Sequence, residues 1–279
     1  MSDDILMTSV KKAFGGGVAG ATAMTTQVMT LMWLRTTVNY QYKHGGTTKE
    51  TLKLLYKEGG IPRFYKGLFP TLIQGSLSRF GDTAANTGIN YYMNNNNYTK
   101  DLPLVVKSGC ASSGAALWRV IIMPIDTLKT SLQVNGNNGI PILKNKIKMN
   151  SPLVLYNGSM ATLSATFVGH FPWFFTYNYL NETLPKPQYD DSFNQLLRNG
   201  TMGVCSSIVS DTVSNSLRVI KTNKQTHETN ISYKTTIDLI LKKDGFMGLF
   251  TRGLKTKLIS NSIQGGLFSI TWKYFERKF

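Results

Sequence analysis

The chain has 279 residues and a net charge of +16, from 31 Lys and Arg against 15 Asp and Glu. That length fits one large domain or two ordinary ones, and the positive excess points to an anionic partner: nucleic acid, lipid headgroups or an anionic solute. A mean hydropathy of −0.13 argues against a uniformly greasy membrane protein. No zinc-ligand spacing exists, and Cys110 and Cys205 read as buried packing thiols.

The chain opens on Met1-Ser2-Asp3-Asp4, which is acidic and lacks the basic start of a cleavable leader. Residues 13–34 then carry no charge. Gly15, Gly16, Gly17 and Gly20 are too many for a stable soluble helix, but small residues let membrane helices pack closely. Two further stretches, 149–181 (with His170 neutral) and 258–272, are also free of charge. With about 20 residues per crossing, the expected spans are 9–36, 69–93, 104–132, 159–181, 196–220 and 256–275. Hydropathy alone is expected to mark two or three of them. An internal repeat supplies the rest.

Thr47 to Tyr56 reads as a surface helix, with Thr47 or Thr48 as its N-cap and Gly59-Gly60 as its end. Glu58-Gly59 followed by Phe64-Tyr65-Lys66-Gly67 returns as Asp244-Gly245 followed by Phe250-Thr251-Arg252-Gly253. A reduced version, Leu155-Tyr156-Asn157-Gly158, lies between them. Before each closing glycine a span ends on a cation. The middle one is complete: Pro124-x-Asp126-x-x-Lys129, then Gln133. The proline should kink its helix, and Asp126 and Lys129 share one face. The first is Thr30-x-Met32-x-x-Arg35 and the third is Val213-x-Asn215-x-x-Arg218. The cation survives in all three, the proline and the acid only in the middle one. Between them lie a polar loop at 94–98, a basic, Asn-rich linker at 134–150 around a short helix, an aromatic run at Phe171–Phe175 and a third surface helix near 233–243.

The charges are sided. Segments 35–66, 129–157 and 218–257 hold twenty of the basic residues and five of the acids, and the opposite loops and termini hold nine and seven. This is the asymmetry of the positive-inside rule. Basic helices on a soluble protein predict no such sidedness.

These residues resemble the mitochondrial carrier family. The resemblance covers essentially the whole chain: repeats at 1–98, 99–188 and 189–279, a full middle motif with its bracing Gln133, and the Glu-Gly-x4-Phe-Tyr-Lys-Gly segment at 58–67. It implies an all-α membrane protein with six transmembrane helices in three pseudosymmetric repeats and short amphipathic matrix helices. It also implies a multi-pass location in the mitochondrial inner membrane, a monomer, and a central cavity opening alternately to each side. It assigns substrate contacts to the positions seven and eight residues after each closing glycine: Gln74 and Gly75, Ala165 and Thr166, Ser260 and Asn261. It assigns a matrix gate to Arg35, Asp126, Lys129, Gln133, Asn215 and Arg218. A cytoplasmic gate falls on Tyr177, Asn178, Trp272, Lys273 and Glu276, with the charges of the family pattern exchanged. Helix N-termini can bind phosphate headgroups through free N–H groups, and the resemblance makes Lys66, Gly67, Gly158, Arg252 and Gly253 contacts for cardiolipin.

Ionisable groups inside spans default to function, which adds Arg79, Asp82, Arg119, His170 and Asp211 to the substrate layer. Each can equally be a structural ion pair or a satisfied buried group. The expected function is solute transport by alternating access, of a small charged or amphoteric metabolite such as a nucleotide-like cofactor or an amino acid. The alternative is a non-transporting relative acting as a membrane scaffold or receptor. No cofactor and no nucleic-acid partner are expected. No nucleophile–base pair, phosphate loop or metal cluster supports an enzyme.

Overall fold

A computed structural model describes residues 2–185 and 192–264. Among the described residues there are helices and no strands. They are α1 (Ser2–His44), α2 (Thr48–Phe64), α3 (Leu68–Asn95), α4 (Leu104–Ile121), α5 (Met123–Asn135), α6 (Gly139–Met149), α7 (Ser159–Thr183), α8 (Ser192–Thr226), α9 (Tyr233–Thr251) and α10 (254–264), with short 3₁₀ turns flanking α6. The long helices pack on their neighbours in chain order, α1 on α3, α3 on α4, α4 on α7 and α7 on α8, while α1, α5 and α8 also touch one another. The ring closes where the linker after α1 meets α10: the Thr48 and Thr256 hydroxyls are 2.7 Å apart.

Pro124 breaks the third long helix as its missing N–H requires, separating α4 from α5 at Ile122. In α1 the break falls at Leu31 (φ −113°, ψ 18°), beside the threonine that stands in the proline's place. Thr47 caps α2 with a full capping box, its hydroxyl accepting from Glu50 N and its N–H donating to the Glu50 carboxylate. Gly60 (φ +62°) and Gly245 (φ +66°) bend α2 and α9 where the repeated acid–glycine pairs predict an end.

Each closing glycine starts the next long helix in a left-handed conformation: φ is +80° at Gly67, +87° at Gly158 and +65° at Gly253. Three residues before each, a carbonyl is held within its own repeat. Thr36 donates to Phe64 O (2.6 Å), Thr127 to Leu155 O (2.6 Å) and Asn215 to Phe250 O (2.7 Å). The threefold regularity therefore reaches hydrogen bonds that the sequence repeat does not spell out.

Hydropathy alone marks no span: among the described residues no helix is long and apolar enough to cross a membrane. Several large apolar side chains face outward and polar ones face an internal cavity. Phe69, Phe171, Phe175 and Met29 are exposed, while Gln74, Asn39, Gln133 and Asn261 line an internal cavity. Cys110, expected to be buried, is exposed, and Cys205 is partly so.

The linker helix α6 buries a lysine. Lys146 is 2% exposed and its Nζ donates to Gln225 O at the end of α8 (3.2 Å). Burial, and then the charges of Lys43 and Lys224, pull its pKa down to about 8. The unfolded chain holds this proton up to about pH 10.4, so between pH 8 and that value the unfolded state binds more protons and rising pH favours folding. Melting temperature in detergent, measured for wild type and Lys146→Met across pH 7 to 10.5, should show wild type gaining on the variant above pH 8.

Candidate functional site

The long helices enclose a cavity of about 1100 Å³. Its lining holds seven cations (Arg35, Arg79, Arg119, Lys129, Arg218, Lys221 and Lys257) and three acids (Asp82, Asp126 and Asp211). A second cavity of about 640 Å³ lies among the ends of α1, α2 and α5 and includes Val134. The first includes Gln133. Consecutive residues thus face different spaces, and the layer around Gln133 separates them.

That layer is built on Asp126. Its carboxylate is 3% exposed as a residue and is gripped from two helices, by Lys129 of α5 at 2.9 Å and Lys221 of α8 at 2.6 Å. Gln225 of α8 adds bonds to Asp126 Oδ2 (3.2 Å) and Thr127 Oγ1 (3.1 Å). The other two junctions between repeats use neutral groups. Asn39 of α1 donates to Gln133 Oε1, and Gln133 donates to Thr71 (3.0 Å). Asn223 of α8 donates to Tyr42 O of α1 (2.7 Å). Arg218 reaches Asp211 two turns back on its own helix, at 3.5 Å. Asn215 donates to Phe250 O and Arg252 O, so its amide holds its own repeat's linker.

Further up the cavity, Asp82 of α3 and Arg119 of α4 form a two-bond ion pair (3.2 and 2.6 Å). Their neighbours explain the register. A Cβ on Gly81 would sit 1.8 Å from Trp118 Cδ1, so the indole lies flat on the α3 backbone, and its Nε1 donates to Leu77 O (2.7 Å). Residues 81–82 therefore meet residues 118–119 as a pair. Arg119 also reaches the Thr166 hydroxyl of α7 (3.4 Å).

The remaining expected residues fall as follows. Gln74 accepts from Lys129 (3.0 Å), which ties the expected contact layer to the Asp126 layer. Ala165, Thr166, Ser260 and Asn261 line the cavity. Ser260 accepts from Gln264 (3.0 Å), which itself accepts from Arg35 (3.3 Å). Asn261 donates to the Asp211 carboxylate and accepts from Lys257 (3.1 Å). Arg79 lines the cavity, and its side chain makes no hydrogen bond or ion pair among the described residues. His170 is not among the lining residues; its Nδ1 is 2.9 Å from the Ser112 hydroxyl. Tyr177 stacks on Trp173 with centroids 5.1 Å apart, and Asn178 is exposed. Trp272, Lys273 and Glu276 lie outside the described residues. Arg252 is buried and bonded to Asp244 (2.7 Å), whereas Lys66 is only partly covered.

Lys221 and Lys257 escape the motif reading. Both carried a signal. Lys221 sits three residues after Arg218, on the same helix face. Lys257 is an ionisable group inside an expected span.

A ring of kinked helices in three similar units, around a polar cavity floored by a buried ion network, defines the membrane carriers built from internal repeats. The sequence profile of the mitochondrial carrier protein family matches residues 7–97, 100–188 and 193–279. The chain belongs to that family, and its fold is the family's all-helical, six-helix membrane fold. Protein MITOFERRINLIKE 1, chloroplastic, of Arabidopsis thaliana is 24% identical over 177 residues. That match covers 62% of this chain and 42% of the relative, so the chain spans less than half the length of that protein.

Two measurements probe this geometry. Breaking a buried pair by removing one partner strands a charge and costs a few kcal/mol. Lys221→Met removes the closer of the two lysines on Asp126 and should therefore lower the melting temperature. A double-mutant cycle with Asp126→Asn should return a coupling of about 1–3 kcal/mol for the Lys221 pair. Separately, Gly81→Ala should destabilise by about 1–3 kcal/mol through overpacking against Trp118, and adding Arg119→Met to it should cost less than Arg119→Met costs alone.

Proposed function

We propose that the chain is an alternating-access solute transporter of the mitochondrial inner membrane. It moves a small charged or amphoteric metabolite that carries an anionic group, such as a nucleotide-like cofactor or an amino acid. Its repeats are 1–98, 99–188 and 189–279, with the linker helices on the matrix side. The observation that carries this reading is the cavity's charge: among the described residues seven cations face three acids, and each acid is already engaged by Arg119, by Lys129 and Lys221, or by Arg218.

Inside a low-dielectric wall that excess attracts an anion strongly. Arg79, whose side chain has no hydrogen bond or ion pair among the described residues, and Lys257, bonded there only to an amide, are the cations best placed to receive it. Gln74, Thr166 and Asn261 supply neutral hydrogen bonds around them, and the Asp82–Arg119 pair can exchange its partner for an ammonium or a carboxylate on an amphoteric solute. Binding there biases the layer below. Gln74 holds Lys129, so a solute that recruits Gln74 loosens the grip on Asp126. The Gly67, Gly158 and Gly253 turns with Lys66 form the surface for cardiolipin headgroups, and the protein works as a monomer.

A scaffold or receptor role is the second reading. It is favoured by the thin gate: among the described residues Asp126 makes the one ion pair that crosses between repeats in that layer.

A thermal-shift screen of purified protein separates the two, because a ligand bound to the folded state raises its apparent stability. Transport predicts a selective shift with one anionic class among nucleotides, cofactors, amino acids and carboxylates. In Arg79→Ala that affinity should fall at least about tenfold, the worth of one charged hydrogen bond. No shift with any class, from protein shown to be folded, would favour the scaffold.

A further inference from the structure

Three buried cations on the linker segments each end on the last carbonyls of a long helix in the next repeat. Arg63 of α2 is 5% exposed and donates to Gln133 O and Val134 O, both at 2.9 Å, in the last turn of α5. Lys146 of α6 donates to Gln225 O in the last turn of α8. Arg252, after α9, is 5% exposed and donates to Lys43 O (3.1 Å), with Lys243 reaching His44 O (3.0 Å), in the last turn of α1. The order is cyclic: the first repeat holds the second, the second the third, the third the first. The last carbonyls of a helix have no intrahelical partner and carry the negative end of its dipole, so a buried cation suits them.

The closing glycines repeat the same order independently. A Cβ on Gly67 would meet Leu132 Cβ of α5 at 3.0 Å, one on Gly158 would meet Lys221 Cγ of α8 at 3.2 Å, and one on Gly253 would meet Tyr42 Cδ1 of α1 at 2.9 Å. Each linker thus lies flush against the helix that its cation grips.

The gripped residues are gate residues. Gln133, held by its carbonyl, spends its side chain on Asn39 and Thr71. Gln225, held by its carbonyl, spends its side chain on Asp126 and Thr127. Lys43 adjoins Tyr42, whose carbonyl receives Asn223. Inner contact and outer grip are back to back on the same stretch of backbone.

We propose that Arg63, Lys146 and Arg252 form an outer ring of helix-end clamps that position the gate, and that loosening a clamp opens the gate. The three clamps are unequal. Arg63 and Arg252 each keep a carboxylate, Glu58 at 2.8 Å and Asp244 at 2.7 Å. Among the described residues Lys146 makes a single carbonyl bond with no acid. The junction it guards is the one that carries the Asp126–Lys221 ion pair. Strong outer clamps sit where the inner contact is neutral, and the weak clamp sits where it is charged.

The proposal rests on the gating reading above, and the test separates the two. Spin labels are placed at the exposed positions Lys144→Cys and Lys242→Cys, in full-length protein carrying Cys110→Ser and Cys205→Ser, and distances are read by pulsed electron resonance. Lys221→Met should add a longer distance; its absence would overturn the gating reading. Lys146→Met should raise the longer component about tenfold over the parent, as expected for one charge-assisted bond, and Lys146→Arg should restore the parent distribution. A lowered melting temperature with unchanged distances in Lys146→Met would overturn the clamp and leave a merely structural lysine. Equal broadening in Lys146→Arg and Lys146→Met would overturn it too. Should Lys146→Met fail to fold, Arg63→Lys, which forfeits the forked pair of carbonyl bonds, is read with labels at Lys53→Cys and Lys144→Cys by the same criterion.

Discussion

Asp126 sits at the floor of the cavity with a lysine on either side, one from its own helix and one from α8. A buried carboxylate is costly unless it is paired and hydrogen-bonded. Here Lys129, Lys221 and Gln225 satisfy it together, and doing so requires the ends of α5 and α8 to lie side by side. That requirement propagates. With α5 and α8 fixed, α1 closes the ring through Asn39 on one side and the Tyr42 carbonyl on the other. Two neutral junctions and one charged one make the floor asymmetric, although the three repeats are alike in outline.

The same asymmetry gives the cavity its sign. A floor with three motif acids would neutralise its cations. One motif acid, engaged by two lysines, cannot. Asp211 offsets Arg218 from within α8, and Asp82 offsets Arg119 at the wall. Arg79 and Lys257 form no ion pair among the described residues. The absence of two acids from the repeated motif and the cavity's excess of cations among the described residues are therefore one physical fact.

The architecture was legible because closing glycines and terminal cations repeat, and repetition survives where hydropathy fails. Hydropathy fails for a reason seen in α3 and α5: a helix that turns Gln74 or Gln133 to a cavity cannot also be apolar along a whole crossing. The kink at Pro124 follows from the proline, whereas the kink at Leu31 occupies the corresponding place without one, so the surrounding ring bends α1 there. Partners were less legible than positions. The motif places Arg218 at the gate, but the lysine one turn later takes Asp126, because side-chain reach across helices depends on rotation that spacing does not encode. The clamps were invisible for a related reason. Arg63 precedes its closing glycine by four residues, Lys146 by twelve and Arg252 by one. Three unaligned positions reach one kind of target, a helix end, which is a property of the backbone and leaves no mark in the repeat.

An opening at the floor has to part helix ends that are held from both sides. If a clamp stays closed, the end of α1, α5 or α8 that it grips moves with the linker of the preceding repeat, and the moving body is a composite of two repeats. If the clamp breaks, each repeat moves alone. Arg63, with two carbonyls and Glu58, favours the composite at the first junction. Lys146, with one carbonyl, favours separation at the second. In the proposed transport cycle the pieces that rock need not coincide with the pieces that repeat, and the point of first separation would be set by whether the Asp126 network yields to a solute before the weakest clamp does.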